Sequence, residues 1–204
     1  MPRRVLVIFA HPVLERSQVN RRLIAAARAV KGVTVHDLYE EYPTLHIAVK
    51  REQGLLLEHD AIVFQHPFYW YSAPALVKEW QDLVLEYGWA YGKGGDKLKG
   101  KVTLNAVSTG GPHFAYRKDG YNRFTMRELL APFDQTAHLC GMKFIAPFVV
   151  HASLKVETDE HMAPYNAAYR RLLEALRDDT LDIERAMKVE TVNDVLDELI
   201  RKAS

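Results

Sequence analysis

Five strand-like runs punctuate the chain, at residues 5 to 9, 33 to 37, 61 to 65, 102 to 107 and 144 to 150. The first, Val5-Leu-Val-Ile-Phe9, contains no polar residue, as expected of a strand buried on both faces. Between the runs, apolar residues recur at helical spacing over 18 to 30, 73 to 86, 125 to 139 and 160 to 177. In the first of these the recurring positions are Val19, Leu23, Ala27 and Val30; in the second they are Leu76, Val77, Trp80, Leu83 and Val84. The last turns Tyr165, Ala168, Tyr169, Leu172, Leu173 and Leu176 inward. Strands alternating with helices predict a parallel sheet covered on both faces, a three-layer α/β sandwich. Five strands so connected point to the doubly wound order 2-1-3-4-5, with a ligand crevice at the switch point between strands 1 and 3. Pro74 reads as an early helical residue, and residues 38 to 60 as a loop through Pro43 followed by a short helix. Residues 1 to 204 are expected to form one domain, with a core over about 4 to 178 and a helical tail over 180 to 204.

The ends of three strands carry unusual chemistry. After the run at 61 to 65 come Pro67, Phe68, Tyr69, Trp70 and Tyr71. Large aromatics on a loop at the carboxyl end of a parallel strand suggest a flat, π-rich ligand beside the sheet, and an isoalloxazine ring fits. Phe68 and Trp70 could otherwise be core aromatics, but their place after Pro67 favours ring contact. After the first strand, Ser17 is placed to N-cap the first helix. A helix start offers free N–H groups and a positive dipole end, so His11, Ser17, Gln18, Val19 and Asn20 would make a phosphate cradle; the alternative for His11 is a structural cap. The third end is Ser108-Thr109-Gly110-Gly111, where glycines either let backbone N–H groups approach a planar ligand or serve a plain tight turn. His66 is expected behind the aromatic loop, and Cys140 in inert burial.

Five motifs together resemble the flavodoxin-like NAD(P)H:quinone oxidoreductase family: Ala10-His11-Pro12, Ser17-Gln18-Val19-Asn20, Gln65-His66-Pro67 with Trp70-Tyr71-Ser72, Gly88-Trp89-Ala90-Tyr91-Gly92, and Thr109-Gly110-Gly111. Within that family the chain is most similar to the ancillary oxidoreductases of glutathione-gated potassium efflux (Kef) systems, over about residues 4 to 178. The resemblance implies a flavodoxin-like fold binding FMN non-covalently, with FAD the alternative found in longer relatives. It also implies hydride transfer from NAD(P)H to the flavin and then to a quinone, in ping-pong order. It places the glycine loop along the flavin, where N–H groups stabilise charge on the reduced ring. Tyr116 and His113 follow that loop, where longer quinone reductases carry a tyrosine and a histidine that assist proton transfer; the spacing differs here, and exposed loop positions are the alternative. The resemblance further implies a homodimer with Trp89 and Tyr91 near its two-fold axis. A second class of function is a regulatory subunit that activates a potassium-efflux transporter. A third, a one-electron flavodoxin carrier, fits less well, since such carriers are strongly acidic.

Charge and composition narrow the field. Basic and acidic residues number 27 and 26, which argues against a nucleic-acid surface. With one cysteine, no apolar leader after Met1-Pro-Arg-Arg and no apolar run of membrane-spanning length, the expectation is a cytoplasmic protein, reaching the inner membrane only through a protein partner. Gly95 to Lys101 matches Gly-x4-Gly-Lys, but Val102 stands where a Ser or Thr would hold magnesium, and the segment precedes a strand. There is no Gly-x-Ser-x-Gly elbow and no HExxH or paired Cys/His set, so no metal is expected. Nor does Gly-x-Gly-x-x-Gly follow the first strand, so a nicotinamide would bind transiently over the flavin.

Overall fold

The computed structural model describes residues 2 to 201 and sets the strand-like runs side by side in a parallel sheet. β1 (Val5–Phe9), β2 (Val33–Asp37), β3 (Ala61–Pro67), β4 (Val102–Ser108) and β5 (Lys143–Phe144) take the order β2-β1-β3-β4-β5, and β6 (Phe148–Val150) pairs with β4 beyond β5. The helices are α1 (Gln18–Arg28), α2 (Leu38–Glu41), α3 (Val49–Glu58), α4 (Ala75–Val84), α5 (Met126–Leu129), α6 (Ala131–Leu139), α7 (Asp159–Arg177), α8 (Ile183–Ala186) and α9 (Leu196–Leu199). Alternate residues of β1 feed two cores. Val5, Val7 and Phe9 pack with α1, α7 and the tail, whereas Leu6 and Ile8 pack with Leu56, Trp80 and Phe133 on the other face. The register pairs Phe9 with Gln65 and Pro67 with Ser108, so the loops after β1, β3 and β4 leave one end of the sheet together.

The edge strand departs from the single run expected over 144 to 150. Pro147 has no N–H to continue the ladder, and the Ala146 N–H donates to Ala186 O of α8. The tail then covers this edge: Val192 N–H donates to Pro147 O at 3.0 Å, and the Asn193 amide both accepts from Val149 N–H and donates to Val149 O. Exposed strand edges invite pairing with other chains, and Leu181, Ile183, Ala186, Val192 and Leu199 of the tail are buried in the same core as α1 and α7.

Local chemistry explains the other departures. Pro74 is extended (φ −53°, ψ 146°) and precedes α4 as its N-cap instead of lying within it. The pattern over 125 to 139 forms two helices: Thr125 and Glu128 make a capping box for α5, and α6 starts anew with Pro132 in its first turn. Asp37 caps α2 directly after β2, ahead of the loop through Pro43, and Leu83 is exposed. Glu52 of α3 is buried and accepts from His36 Nε2 at 2.9 Å, from Trp80 Nε1 at 2.7 Å and from the Tyr42 hydroxyl. Burial pushes this carboxyl up, but those three donors outweigh it and hold the group below the usual glutamate range. Among the described residues no helix is long and apolar enough to cross a membrane.

Candidate functional site

Two adjoining clefts open where the three loops converge, one of about 650 Å³ and one of about 480 Å³, meeting at Phe68, Trp70 and Gly110. The first is built on the start of α1. Ser17 is extended and its Oγ accepts from Asn20 N–H at 3.0 Å, which fixes the helix entry. The N–H groups of Gln18 and Val19, which line this cleft, have no acceptor within the helix, and no acidic residue sits in the first turn. His11 is buried at the same wall and its Nδ1 accepts from Val13 N–H. Burial holds its pKa below the usual histidine value, with Glu15 opposing, so the neutral ring carries its proton on Nε2, a donor left over for an anion. Asn20 donates from Nδ2 to Ser108 Oγ at 2.8 Å, while its buried Oδ1 has no partner among the described residues. Side-chain amides are oriented by their partners; a group bound in the cleft, or the amide turned to face it, would satisfy this atom.

The aromatic wall is a strained turn. Ser72 N–H donates to Tyr69 O at 2.9 Å, and the two residues between, Trp70 and Tyr71, have φ of 49° and 63°. This is the pattern of a type I′ turn, which asparagine and glycine ordinarily supply; each bulky residue there costs about 1 to 3 kcal/mol. What the strain achieves is exposure, since Trp70 is 93% accessible. Trp70 is therefore no core residue, whereas Phe68 is buried, set edge-on to Tyr71 and Tyr116, and still lines both clefts. Below the turn, His66 is sealed from solvent, donates from Nδ1 to Pro67 O, accepts from Asn105 at Nε2 and stacks on Phe133. Burial drives its pKa down to about 4.

Gly110 and Gly111 form the opposite wall. Neither has a positive φ, so a turn requirement does not account for them. A Cβ on Gly111 would stand 3.2 Å from Tyr116 Cε2, so glycine lets that ring lie against the backbone; a Cβ on Gly110 would meet only Leu154, at 3.9 Å. Nothing among the described residues demands glycine at 110, but close approach of a ligand would. The N–H groups of both glycines have no acceptor among the described residues.

Of the residues singled out from sequence, His11, Ser17, Gln18, Val19, Asn20, Pro67, Phe68, Tyr69, Trp70, Ser108 and Gly110 line the first cleft, and Tyr71, Gly111 and Tyr116 the second. Thr109 and His113 line neither: the Thr109 hydroxyl turns back to donate to Gly111 O, and the His113 ring lies edge-on to His151 at 5.1 Å. Trp89 and Tyr91 are half-buried against the core under α4 and α6, away from both clefts. Sequence reading did not single out Arg16, Ser153 and Leu154 of the first cleft, Phe114, Tyr121 and Asn122 of the second, or His151 behind the glycine loop. His151 follows the short buried strand β6, so the strand-end rule applied to the other three loops would have found it. Among the described residues no cluster of three or more His, Cys, Asp or Glu is placed to hold a metal.

Comparison with known proteins places this geometry. Residues 3–173 match the family model Flavodoxin_2, described as a flavodoxin-like fold. The glutathione-regulated potassium-efflux system ancillary protein KefG of Shigella flexneri serotype 5b is 45% identical over 168 residues, covering 82% of this chain and 91% of KefG. Among solved structures, general stress protein 14 (TDE0354) from Treponema denticola, in complex with FMN, superposes with a TM-score of 0.76 at 39% identity, covering 86% of this chain and 98% of that one. An NADPH-quinone reductase from P. pentosaceus gives 0.75 at 35% identity, covering 83% and 96%.

Proposed function

The chain belongs to the Flavodoxin_2 family of flavodoxin-like proteins, and from that premise we propose that it is an FMN-dependent NAD(P)H:quinone oxidoreductase. The observation that carries the reading is the continuous cleft, which joins an anion-receptive helix start to a slot between exposed aromatics and free backbone donors. Its chemistry matches FMN part by part. Gln18 and Val19 N–H, the Ser17 cap and His11 Nε2–H would hold the phosphate. Trp70, Tyr69 and Phe68 would lie along one side of the ring and the Gly110–Gly111 backbone along another. Hydride uptake from NAD(P)H and delivery to a quinone are what the flavin supplies when bound. The protein's part is to hold donors where negative charge develops, and fixed N–H dipoles need no reorganisation to do so. The FMN complex of the Treponema protein and the NADPH-quinone reductase likeness support this reading. Tyr116, at the second cleft, is the side chain we assign to meet the acceptor's oxygen, and the working unit we propose is a homodimer.

A second reading is favoured by one finding, the 45% identity to KefG: the folded, flavin-loaded surface regulates a potassium-efflux transporter, with redox turnover separable from it. A direct test measures FMN content, NAD(P)H oxidation with several quinones, and potassium efflux in cells bearing the cognate transporter. Turnover with quinones supports the first reading. Activation of efflux by a Tyr116→Phe protein that no longer turns over supports the second.

A further inference from the structure

The glycine loop owes its direction to a residue outside it. Thr109 O accepts from Ser153 N–H at 2.8 Å, and Gly111 O accepts from Ala152 N–H at 2.9 Å, so both carbonyls are drawn toward the segment after β6. Across a planar trans peptide the N–H points opposite to the C=O. The Gly110 N–H, which shares its peptide with Thr109 O, therefore faces away from that segment, on the side of the second cleft, which Gly110 lines and Ser153 and Leu154 do not. The hydroxyl of Thr109 donates to Gly111 O at 2.9 Å and lies 3.1 Å from His151 Nδ1. A hydroxyl has one proton. Because that proton goes to Gly111, Nδ1 of His151 must be the donor to Thr109 Oγ1, which fixes the imidazole as the Nδ1–H tautomer.

We propose that His151 is a positioning residue: through Thr109 it locks the Gly110–Gly111 loop so that the Gly110 N–H faces the flavin ring. The inference rests on the FMN reading above. Its ring is held on the other side as well, tilted against Tyr116 at 5.4 Å and edge-on to His113 at 5.1 Å. Burial first, and the neighbouring His113, push its pKa down to about 4, with Asp194 opposing, so at neutral pH the imidazole is uncharged and the single tautomer persists. The chain His151, Thr109, Gly111 thus anchors the loop from the adjacent strand end, and a fourth strand end, that of β6, joins the site beside those of β1, β3 and β4.

Three variants test the chain: Thr109→Val, which keeps shape and removes the hydroxyl; His151→Phe, which keeps an aromatic ring and removes the donor; and His151→Asn, which keeps a side-chain N–H. FMN is titrated into apoprotein, and the midpoint potential of bound FMN is measured alongside. Thr109→Val and His151→Phe should each weaken FMN binding on the order of tenfold and lower the potential. The double variant should be no worse than either single one, because both cut the same chain, and His151→Asn should recover most of the loss. A purely structural role would change unfolding without moving the potential. Unchanged affinity and potential in both single variants, or additive losses in the double one, would overturn the inference while leaving the FMN reading intact. Failure of the unsubstituted apoprotein to bind FMN would overturn both. If His151→Phe does not fold, Thr109→Val and His151→Asn decide the matter.

Discussion

The two ends of the cleft solve opposite problems by opposite means. At the α1 end the chain follows local rules: Ser17 caps the helix, and His11, Asn20 and Ser108 are buried with hydrogen-bond partners. At the aromatic end it breaks them, with Trp70 and Tyr71 at positive φ and an indole 93% accessible. The first end reads as a binding surface stabilised by the fold itself. The second is held against its own backbone preference, and strain of that kind persists where the surroundings over-determine it for function.

The largest effect is expected at the rule-abiding end. In Ser17→Glu a carboxylate would stand against the phosphate, and two like charges ~4 Å apart near a surface repel by ~4 kcal/mol, or about 1000-fold in affinity. Flavin retained after purification measures it; wild-type FMN content in this variant would move the phosphate site elsewhere.

Beneath the rule-breaking end, stability should depend on pH through His66, whose pKa is pushed down to about 4 by burial. The folded protein binds this proton less readily than the unfolded chain, so unfolding is favoured as pH falls below the ordinary histidine value of about 6.5. The loss accumulates until about 4, where the folded form also takes the proton. Its full size is on the order of 3 kcal/mol, read from urea unfolding at stepped pH. A His66→Asn protein should show a shallower slope over the same window; identical slopes would remove His66 as the cause.

Trp70 separates binding from stability. Trp70→Ala should reduce FMN affinity or turnover about tenfold, within the range of ~1 to 3 kcal/mol measured for a base stacked on an aromatic side chain, while circular dichroism stays unchanged. Trp70→Gly should lower affinity similarly yet raise unfolding stability by about 1 kcal/mol, because glycine accepts a positive φ. Equal stability of the glycine and tryptophan proteins would show that the turn stores no strain.

How much of this was legible in the sequence follows the same division. The sheet order came from strand-like runs separated by helical periodicity, and the α1 end from a single capping serine; both are local signals. The exposed turn was legible as an aromatic-rich strand end, though not its conformation, since positive φ at Trp70 and Tyr71 is imposed by the bridge between Tyr69 and Ser72. The tail's role could not be read, because Ala186, Val192 and Asn193 find their partners at Ala146, Pro147 and Val149, far away in sequence. His151 and Thr109 are 42 residues apart, and no spacing rule links them.

Whether the cleft holds a working flavin is settled most directly by anaerobic absorbance spectroscopy on the purified protein, with the released cofactor identified by mass. FMN should be found, its absorbance should bleach on adding NADH or NADPH, and it should return on adding a quinone. A protein that binds no FMN, or whose bound FMN neither nicotinamide reduces, would contradict the assignment.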